Sequence, residues 1–278
     1  MAGKLYVVGT PIGNLSDFSP RAVATLEKVD FIAAEDTRVT VKLLNHFGIN
    51  KPMLAYYEHN KMERGGEIIS RILAGESCAL VSDAGMPAIS DPGEDLVRAA
   101  YENGIEVESV PGPSAVITAL AISGMPSGRF CFEGFLTMNK IGRRQHLDSL
   151  KNETRTMIFY EAPHKLLNTL TDFCTYFGTD RKLTIARELT KLHEEIRLTT
   201  TGDALAYYQE NPPKGEFCLV LQGYTRPQQE EATIDDLAQK ALQLMEDEGM
   251  SVSEASKKVS AGTKFSKSEV YKAVQQLK

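Results

Sequence analysis

The chain of 278 residues is 42% hydrophobic and 24% charged, a balance typical of a globular protein with two or three domains. No apolar run approaches the length of a membrane-spanning helix, and the N-terminus lacks the hydrophobic region and cleavage site of a signal peptide. We therefore expect a cytoplasmic protein with no membrane partner. The net charge of −6 argues against a protein that coats nucleic acid through bulk charge, although it leaves room for local basic patches.

Residue types that bind metals or carry out nucleophilic catalysis are dispersed along the chain. The four cysteines are far apart and flanked by apolar residues, so we interpret them as core thiols. The five histidines show no HExxH spacing, and the sequence has no GxSxG elbow, Walker A loop or GxGxxG fingerprint. The sequence therefore predicts no metal site and argues against serine acyl transfer and against ordinary NAD or ATP binding.

Apolar runs alternate with helical patterns in the first part of the chain. Strands are predicted at residues 5–9, 30–34, 53–57, 79–81 and 105–110, with helices at residues 20–28, 39–47, 61–73, 91–103 and 115–123. Because strands that alternate with helices are joined by crossover connections, this pattern predicts a largely parallel sheet in an α/β domain.

The most informative stretch of this domain is ALVSDAGMPAISDPG, residues 79–93. A short apolar run is followed by small, turn-forming and acidic residues, and then by the helix-start residues Ser90, Asp91 and Pro92. Open α/β sheets bind ligands outside the carboxyl ends of their strands, and Gly85 would let a ligand approach the backbone. An ordinary strand-to-helix connection is the alternative. We favour a ligand site because such connections are usually shorter.

Turn-forming residues at positions 124–128 predict a domain boundary, which gives a first domain at residues 1–124 and a second at residues 125–225. In the second domain, strands are predicted at residues 130–135, 156–160, 182–187, 195–200 and 216–221. Helices are predicted at residues 142–151 and 163–177, and a short helix after residue 200 runs through residue 208. β-Branched stretches late in this domain predict antiparallel pairing within its sheet.

The remaining residues form a predicted helical tail behind a polar linker at residues 225–231. A helix at residues 234–248 precedes two short helices that begin near Ser251 and Ser266, a pattern that resembles a helix-turn-helix module at residues 231–278. Six lysines stand against two glutamates after residue 250, so the tail is locally basic. An RNA-binding role and a solvated helical cap both fit this composition.

Seven motifs occur along the chain in an order that resembles the tetrapyrrole-methylase-like methyltransferases, and within them the branch that modifies small-subunit rRNA. The motifs are GTPIGNL at residues 9–15, AEDTR at 34–38, SDAGMP at 82–87, SDPG at 90–93, PGPSA at 111–115, YEAPHK at 160–165 and ARELTK at 186–191. The resemblance implies two α/β domains with S-adenosylmethionine in the cleft between them, a small C-terminal helical domain, and a homodimer. It also implies methylation of the ribose 2′-oxygen of a cytidine in the decoding region of 16S rRNA, either free or in the 30S subunit.

The resemblance implies a set of cofactor-binding residues drawn from the loops of both domains. These are Pro11, Val81, Asp83, Met86, Ser114, Ala115, Tyr160 and Leu189. Each has a structural alternative: the apolar members suit a core, Pro11 suits a turn, and Ser114 suits a helix N-cap.

Basic residues near the predicted cleft and in the tail are candidates for phosphate contacts, which position RNA without reading its sequence. They are Arg38, Arg143, Arg144, Lys264 and Lys267. For Arg143 and Arg144, an exposed helix face is the alternative.

Three residues are candidates for a general base that takes the proton of a ribose hydroxyl. Lys191 follows a strand of the second domain, where burial would lower its pKa enough to leave a neutral amine. His59 titrates in the right range without a shift. Asp36 is ionised at neutral pH, although its role is alternatively to orient Arg38.

Two other functions stay open at this stage. A methyltransferase of the same fold could act on a tetrapyrrole or a protein acceptor, but a basic helical tail has no evident use in small-molecule methylation. A non-catalytic ribosome-binding factor could retain a vestigial cofactor pocket.

Overall fold

The computed structural model describes residues 2–225 and 232–277, so most of the predicted linker lies outside the described residues. The chain divides into two compact units, Met1–Tyr224 and Thr225–Lys278. Within the described ranges, no helix is long and apolar enough to cross a membrane.

The first unit opens with a five-stranded parallel sheet, as predicted. Its strands are β1 (Lys4–Val8), β2 (Phe31–Ala34), β3 (Met53–Ala55), β4 (Cys78–Val81) and β5 (Glu106–Val110), and its helices are α1 (Pro20–Lys28), α2 (Thr37–His46), α3 (Lys61–Leu73), α4 (Gly93–Glu102) and α5 (Ala115–Ile122). The spatial order is β3-β2-β4-β1-β5, and every neighbouring pair is parallel.

Local sequence explains how these elements begin and how they pack. Helix α1 starts where the Ser19 side chain accepts a hydrogen bond from the backbone N–H of Ala22, with Pro20 in its first turn. Strands β2 and β4 are buried along their whole length because helices cover both faces of a parallel sheet. Since β1 lies between β4 and β5, the loops that follow these three strands are neighbours.

A second five-stranded sheet follows in the same unit, with the antiparallel pairing that was predicted. Its strands are β6 (Phe130–Phe135), β7 (Thr156–Glu161), β8 (Lys182–Arg187), β9 (Glu195–Thr200) and β10 (Phe217–Leu221), and its helices are α6 (Lys140–Leu150), α7 (Leu166–Phe177) and α8 (Thr201–Glu210). The order is β6-β7-β10-β8-β9, in which only β6 and β7 are parallel.

The two sheets share an apolar cluster that fixes how they meet. Val116 and Leu120 of α5 pack with Ile158 and Val220, which lie on one face of the second sheet, and Ile12 from the loop after β1 joins the same cluster. The opposite face of that sheet packs against α7 and α8. This shared cluster places the loops of the first sheet beside the second sheet.

The second unit contains the three predicted helices, α9 (Ile234–Glu248), α10 (Val252–Ser260) and α11 (Lys267–Leu277). They enclose a small core that includes Leu237, Ala255 and Val270. Each helix begins with a Ser or Thr whose side chain pairs with an acidic residue three positions later, which forms a capping box.

Candidate active site

The loops after β1, β4 and β5 meet through their backbones. The N–H of Thr10 donates to the carbonyl oxygen of Gly85 at 2.9 Å, and the N–H of Gly85 donates to the carbonyl oxygen of Thr10 at 3.2 Å. A Cβ atom on Gly9 would lie 2.7 Å from Cα of Gly112, so neither position has room for a side chain. The glycine-containing loops of the sequence therefore form one structure.

A loop of the second sheet, between β8 and β9, closes on this group. The N–H of Asn14 donates to Oγ1 of Thr190 at 3.1 Å, and a Cβ on Gly13 would lie 2.5 Å from Cγ of Lys191. Glu188 and Thr190 both have left-handed backbone conformations, with φ of 51° and 65°. Such strained residues cluster at ligand sites, and here they flank Leu189.

A cavity of about 410 Å³ lies between these loops and the second sheet, a volume suited to a small organic ligand. Six of the eight cofactor residues implied by the resemblance line it: Asp83, Met86, Ser114, Ala115, Tyr160 and Leu189. Burial raises the pKa of the Tyr160 hydroxyl to about 12, so this group stays protonated near neutral pH. Both sheets of the first unit therefore contribute side chains to one cavity.

Two residues of the implied set do not line the cavity. Val81 is 1% exposed and packs with Tyr6 and Val8 in the core of the first sheet, which is the structural alternative weighed for it. Pro11 is half-buried in the loop after β1, and the next residue, Ile12, reaches the cavity instead.

Three carboxylates, Glu35, Asp83 and Asp91, line the cavity beside the loop after β4. Oδ1 of Asp91 accepts hydrogen bonds from the N–H groups of Ala88 at 2.9 Å and Gly93 at 2.8 Å, which fixes this loop. Burial and neighbouring negative charges raise the pKa values of Glu35 and Asp83. This end of the cavity therefore favours a cationic group.

Sequence reasoning did not single out several other residues that line the cavity. Ile12 and Glu161 lie inside motifs that the resemblance had marked, so their positions were available as signals. Phe135 and Glu216 lie at an end of β6 and just before β10, where nothing in the local sequence distinguishes them from ordinary strand residues.

Lys191 lies outside the cavity lining, at the rim formed by its ion-pair partner Glu216, and its charge state differs from the one expected. Its Nζ is 2.9 Å from Oε1 of Glu188 and 2.8 Å from Oε2 of Glu216. Burial lowers the pKa of Lys191, but the hydrogen bonds to Glu216 and Glu188 outweigh burial and raise it above its ordinary value. The prediction of a neutral amine is wrong, and Lys191 is a cation near neutral pH.

The other two base candidates, His59 and Asp36, also lie outside the cavity lining. His59 is exposed in the turn after β3, with its ring centroid 6.4 Å from that of Tyr57. Asp36 caps α2 and binds the guanidinium of Arg38 through both carboxylate oxygens, and these hydrogen bonds lower its pKa to about 2. Asp36 is therefore a weak base that orients Arg38, the alternative raised for it.

Asp36 also joins Arg38 to the cavity. The N–H of Asp36 donates to Oδ1 of Asp83 at 3.0 Å, and the Arg38 side chain is 88% exposed. Arg144 is also exposed. The Arg143 side chain is only 14% exposed and donates hydrogen bonds to Oδ2 of Asp172 at 2.6 Å and to Thr169. Because its guanidinium is paired within the protein, Arg143 is a poor candidate for a phosphate contact.

Lys264 and Lys267 lie in the second unit, where both side chains are exposed. Nζ of Lys264 lies 5.5 Å from the ring centroid of Phe265. Within residues 2–225 and 232–277, no cluster of His, Cys, Asp or Glu is arranged to hold a metal ion.

Comparisons with known proteins identify the family of this chain. Residues 4–205 match the family model of the tetrapyrrole (corrin/porphyrin) methylases. The chain is 50% identical to ribosomal RNA small subunit methyltransferase I of Synechocystis sp. over 269 aligned residues. This alignment covers 97% of this chain and 96% of the relative. It is also 50% identical to the protein of that name from Thermotoga maritima over 221 aligned residues. That alignment covers 80% of this chain and 99% of the relative.

A solved structure shows the same fold at low identity. Uroporphyrin-III C-methyltransferase from Thermus thermophilus, complexed with S-adenyl homocysteine, aligns with a TM-score of 0.56 at 15% identity over 78% of this chain and 97% of that chain. The protein is therefore a methyltransferase that uses S-adenosylmethionine. It belongs to the tetrapyrrole methylase family.

The cavity residues fit this cofactor. Apolar side chains of Ile12, Ala115 and Leu189 suit an adenine ring, and the carboxylates of Asp83 and Asp91 suit the positive charges of a sulfonium and an ammonium group.

Substituting Gly85 should weaken cofactor binding. Gly85 has a φ of 84°, and a Cβ there would lie 3.3 Å from Cγ2 of Ile12. We expect Gly85→Val to lower affinity for S-adenosylmethionine by about tenfold or more, measured by calorimetry. Gly48→Val is the control because Gly48 has a φ of 69° with no atom within 4 Å. Unchanged affinity in a folded Gly85→Val protein would contradict this placement.

Proposed function

We propose that this protein transfers the methyl group of S-adenosylmethionine to the ribose 2′-oxygen of a cytidine in the decoding region of small-subunit rRNA. The supporting observation is the 50% identity to a small-subunit rRNA methyltransferase over 97% of the chain. The cytidine and the 2′-oxygen come from the motif resemblance described above. The proposal includes a homodimer that acts in the cytoplasm on free 16S rRNA or on the 30S subunit.

The competing acceptors receive less support. Solved neighbours that methylate uroporphyrin share the fold, but at 15% identity this likeness extends to the fold alone. A non-catalytic ribosome-binding factor with a vestigial pocket receives less support, because the relative that is 50% identical over 97% of this chain is named a methyltransferase.

The chemistry requires a donor and an acceptor held in line. When bound, S-adenosylmethionine supplies a methyl group on a positively charged sulfur. Asp83 and Asp91 supply negative charge on one side of the cavity, and the apolar residues Ile12 and Leu189 exclude water from its interior. Because an in-line displacement depends on orientation, much of the rate acceleration should come from these contacts.

Lys191 is our leading catalytic candidate, in a revised role. Its ammonium is 2.8 Å from Glu216, whose side chain lines the cavity. A cation at this rim would stabilise negative charge that develops on the acceptor oxygen as its proton leaves to water. We propose that His59 contacts RNA and that Asp36 orients Arg38, the candidate phosphate contact.

Variants that remove or keep the positive charge of Lys191 distinguish a stabilising cation from a general base. We expect Lys191→Met to slow single-turnover methylation by about 10²-fold. Lys191→Arg should retain much of the activity, because arginine is a permanent cation and cannot act as a base. We expect His59→Gln and Asp36→Asn to lose less than about tenfold. Equal losses in Lys191→Arg and Lys191→Met, with intact RNA and cofactor binding, would restore Lys191 as the base.

The second unit is proposed to bind RNA rather than to take part in methyl transfer. The alignment with the Thermotoga maritima relative uses nearly all of that relative, 99%, but only 80% of this chain. About a fifth of this chain therefore has no counterpart in that relative. The second unit is about that size, and Lys257, Lys264 and Lys267 on its exposed surface are candidates for phosphate contacts.

Truncation after Pro227 tests this role. We expect weaker rRNA binding and a smaller slope of log affinity against log salt concentration, by about one for each lost phosphate contact. Cofactor affinity and the thermal unfolding of the first unit should not change. Equal rRNA affinity of the truncated and full-length proteins across a salt series would leave the tail as a structural cap.

The whole proposal is tested by mapping 2′-O-methyl groups on small-subunit rRNA from cells with and without the gene. We expect one cytidine methylation in the decoding region to disappear without the gene. It should return when the purified protein and S-adenosylmethionine are added to the unmodified 30S subunit or to its rRNA. An unchanged map would overturn the proposed acceptor.

A further inference from the structure

The edge strand β6 contains an irregularity next to the cavity. Opposite β7, Phe132 pairs with Ile158 and Gly134 pairs with Phe159, so Glu133 is an extra residue on β6. Gly134 has a φ of 64°, in the left-handed region that favours glycine. A β-bulge of this kind bends its strand and redirects the side chains that follow it.

The side chain redirected by the bulge is that of Phe135. In a regular strand, residues three positions apart point to opposite faces of the sheet. Here the rings of Phe132 and Phe135 both contact the ring of Tyr160, with centroid distances of 4.9 and 5.5 Å. Phe132 packs into the shared apolar cluster, whereas Phe135 lines the cavity. The bulge therefore brings a second aromatic ring to the cavity side of Tyr160.

The Phe135 ring is held in place yet accessible. Tyr160 supports it from one side, while 54% of the Phe135 surface is exposed. A Cβ on Gly134 would lie 3.7 Å from Oγ of Ser90, which also lines the cavity, so the end of β6 lies beside the loop after β4. An aromatic ring with a fixed orientation and a free surface is the kind of group on which unpaired bases stack.

We propose that Phe135 is the platform on which the base of the acceptor nucleotide stacks, an inference that rests on the proposed rRNA acceptor. Stacking there would set the ribose of that nucleotide at the cavity opening, with the methyl donor inside. The cofactor adenine is a less suitable occupant, because residues around a shielded donor should be enclosed, as Leu189 is at 6% exposure. Phe135 is then a binding and positioning residue for the acceptor.

The absence of tryptophan from the sequence allows a direct optical test. Phe135→Trp introduces a single tryptophan whose fluorescence a stacked base would quench. We expect quenching when unmodified small-subunit rRNA or the 30S subunit is added in the presence of S-adenosylhomocysteine, and little change with S-adenosylhomocysteine alone. Phe130→Trp is the matched control, since Phe130 is 36% exposed at the opposite end of the same strand.

Kinetics of Phe135→Ala provide the second readout. Loss of one stacking contact should raise KM for the rRNA by about 5- to 100-fold, with kcat and cofactor affinity nearly unchanged. Phe135→Tyr should restore the wild-type KM. Because more than half of Phe135 is exposed, both variants are expected to fold.

Three results would overturn the inference. They are quenching by S-adenosylhomocysteine alone, quenching that follows protein concentration without RNA, and a wild-type KM for rRNA in Phe135→Ala. The first assigns the ring to the cofactor and the second to another copy of the chain. If the wild-type enzyme methylates rRNA while these results appear, the proposed function stands and only the role of Phe135 fails. A wild-type enzyme that methylates no rRNA instead removes the proposed function itself.

Discussion

The cavity depends on direct backbone contact between the loops that follow β1, β4 and β5. Gly9 and Gly112 touch with no room for a side chain, and Thr10 pairs with Gly85 through two hydrogen bonds. This contact is possible because β1 lies between β4 and β5 in the sheet. The distances between the loops are therefore set by the main chain, which is stiffer than any arrangement of side chains. The backbone groups that face the cavity are held in place by the same contact.

The site is maintained at a cost to the stability of the fold. The pKa values of Glu35 and Asp83 are raised by burial and by nearby negative charges. A carboxyl group whose pKa is higher in the folded state stabilises the fold at low pH, and this contribution is lost as the pH rises through the folded-state pKa. At neutral pH both ionised groups therefore oppose folding, and a cationic ligand in the cavity would relieve that repulsion. Ala88 and Ser90, with φ values of 68° and 70°, add backbone strain to the same loop.

Sequence patterns predicted the helices and strands because the signals for these elements are local, whereas the family resemblance implied six of the residues that line the cavity. The register of a strand and the partners of a charged residue depend on distant parts of the chain. Val81 ends a strand that is buried on both faces, so its place directly before the SDAGMP motif did not bring it to the cavity. Lys191 keeps its charge because of Glu216, 25 positions away, and Arg143 turns inward because of Asp172, 29 positions away. The position of Phe135 depends on a bulge that exists only in the pairing of β6 with β7.

The parallel sheet and the edge strand β6 differ, for a topological reason, in how far a local change disturbs the cavity. In the parallel sheet all carboxyl ends lie along one edge, so its loops can meet around the donor, and a change in one loop disturbs the others. Strand β6 is at the edge of the mixed sheet and has a single neighbour, so a bulge there disturbs only one ladder of hydrogen bonds. An acceptor platform on such a strand can change in shape or residue type while the donor loops keep their contacts. If Phe135 is the acceptor platform that we propose, the residue that meets the acceptor can therefore change without a change in the glycine loops on the other side of the cavity.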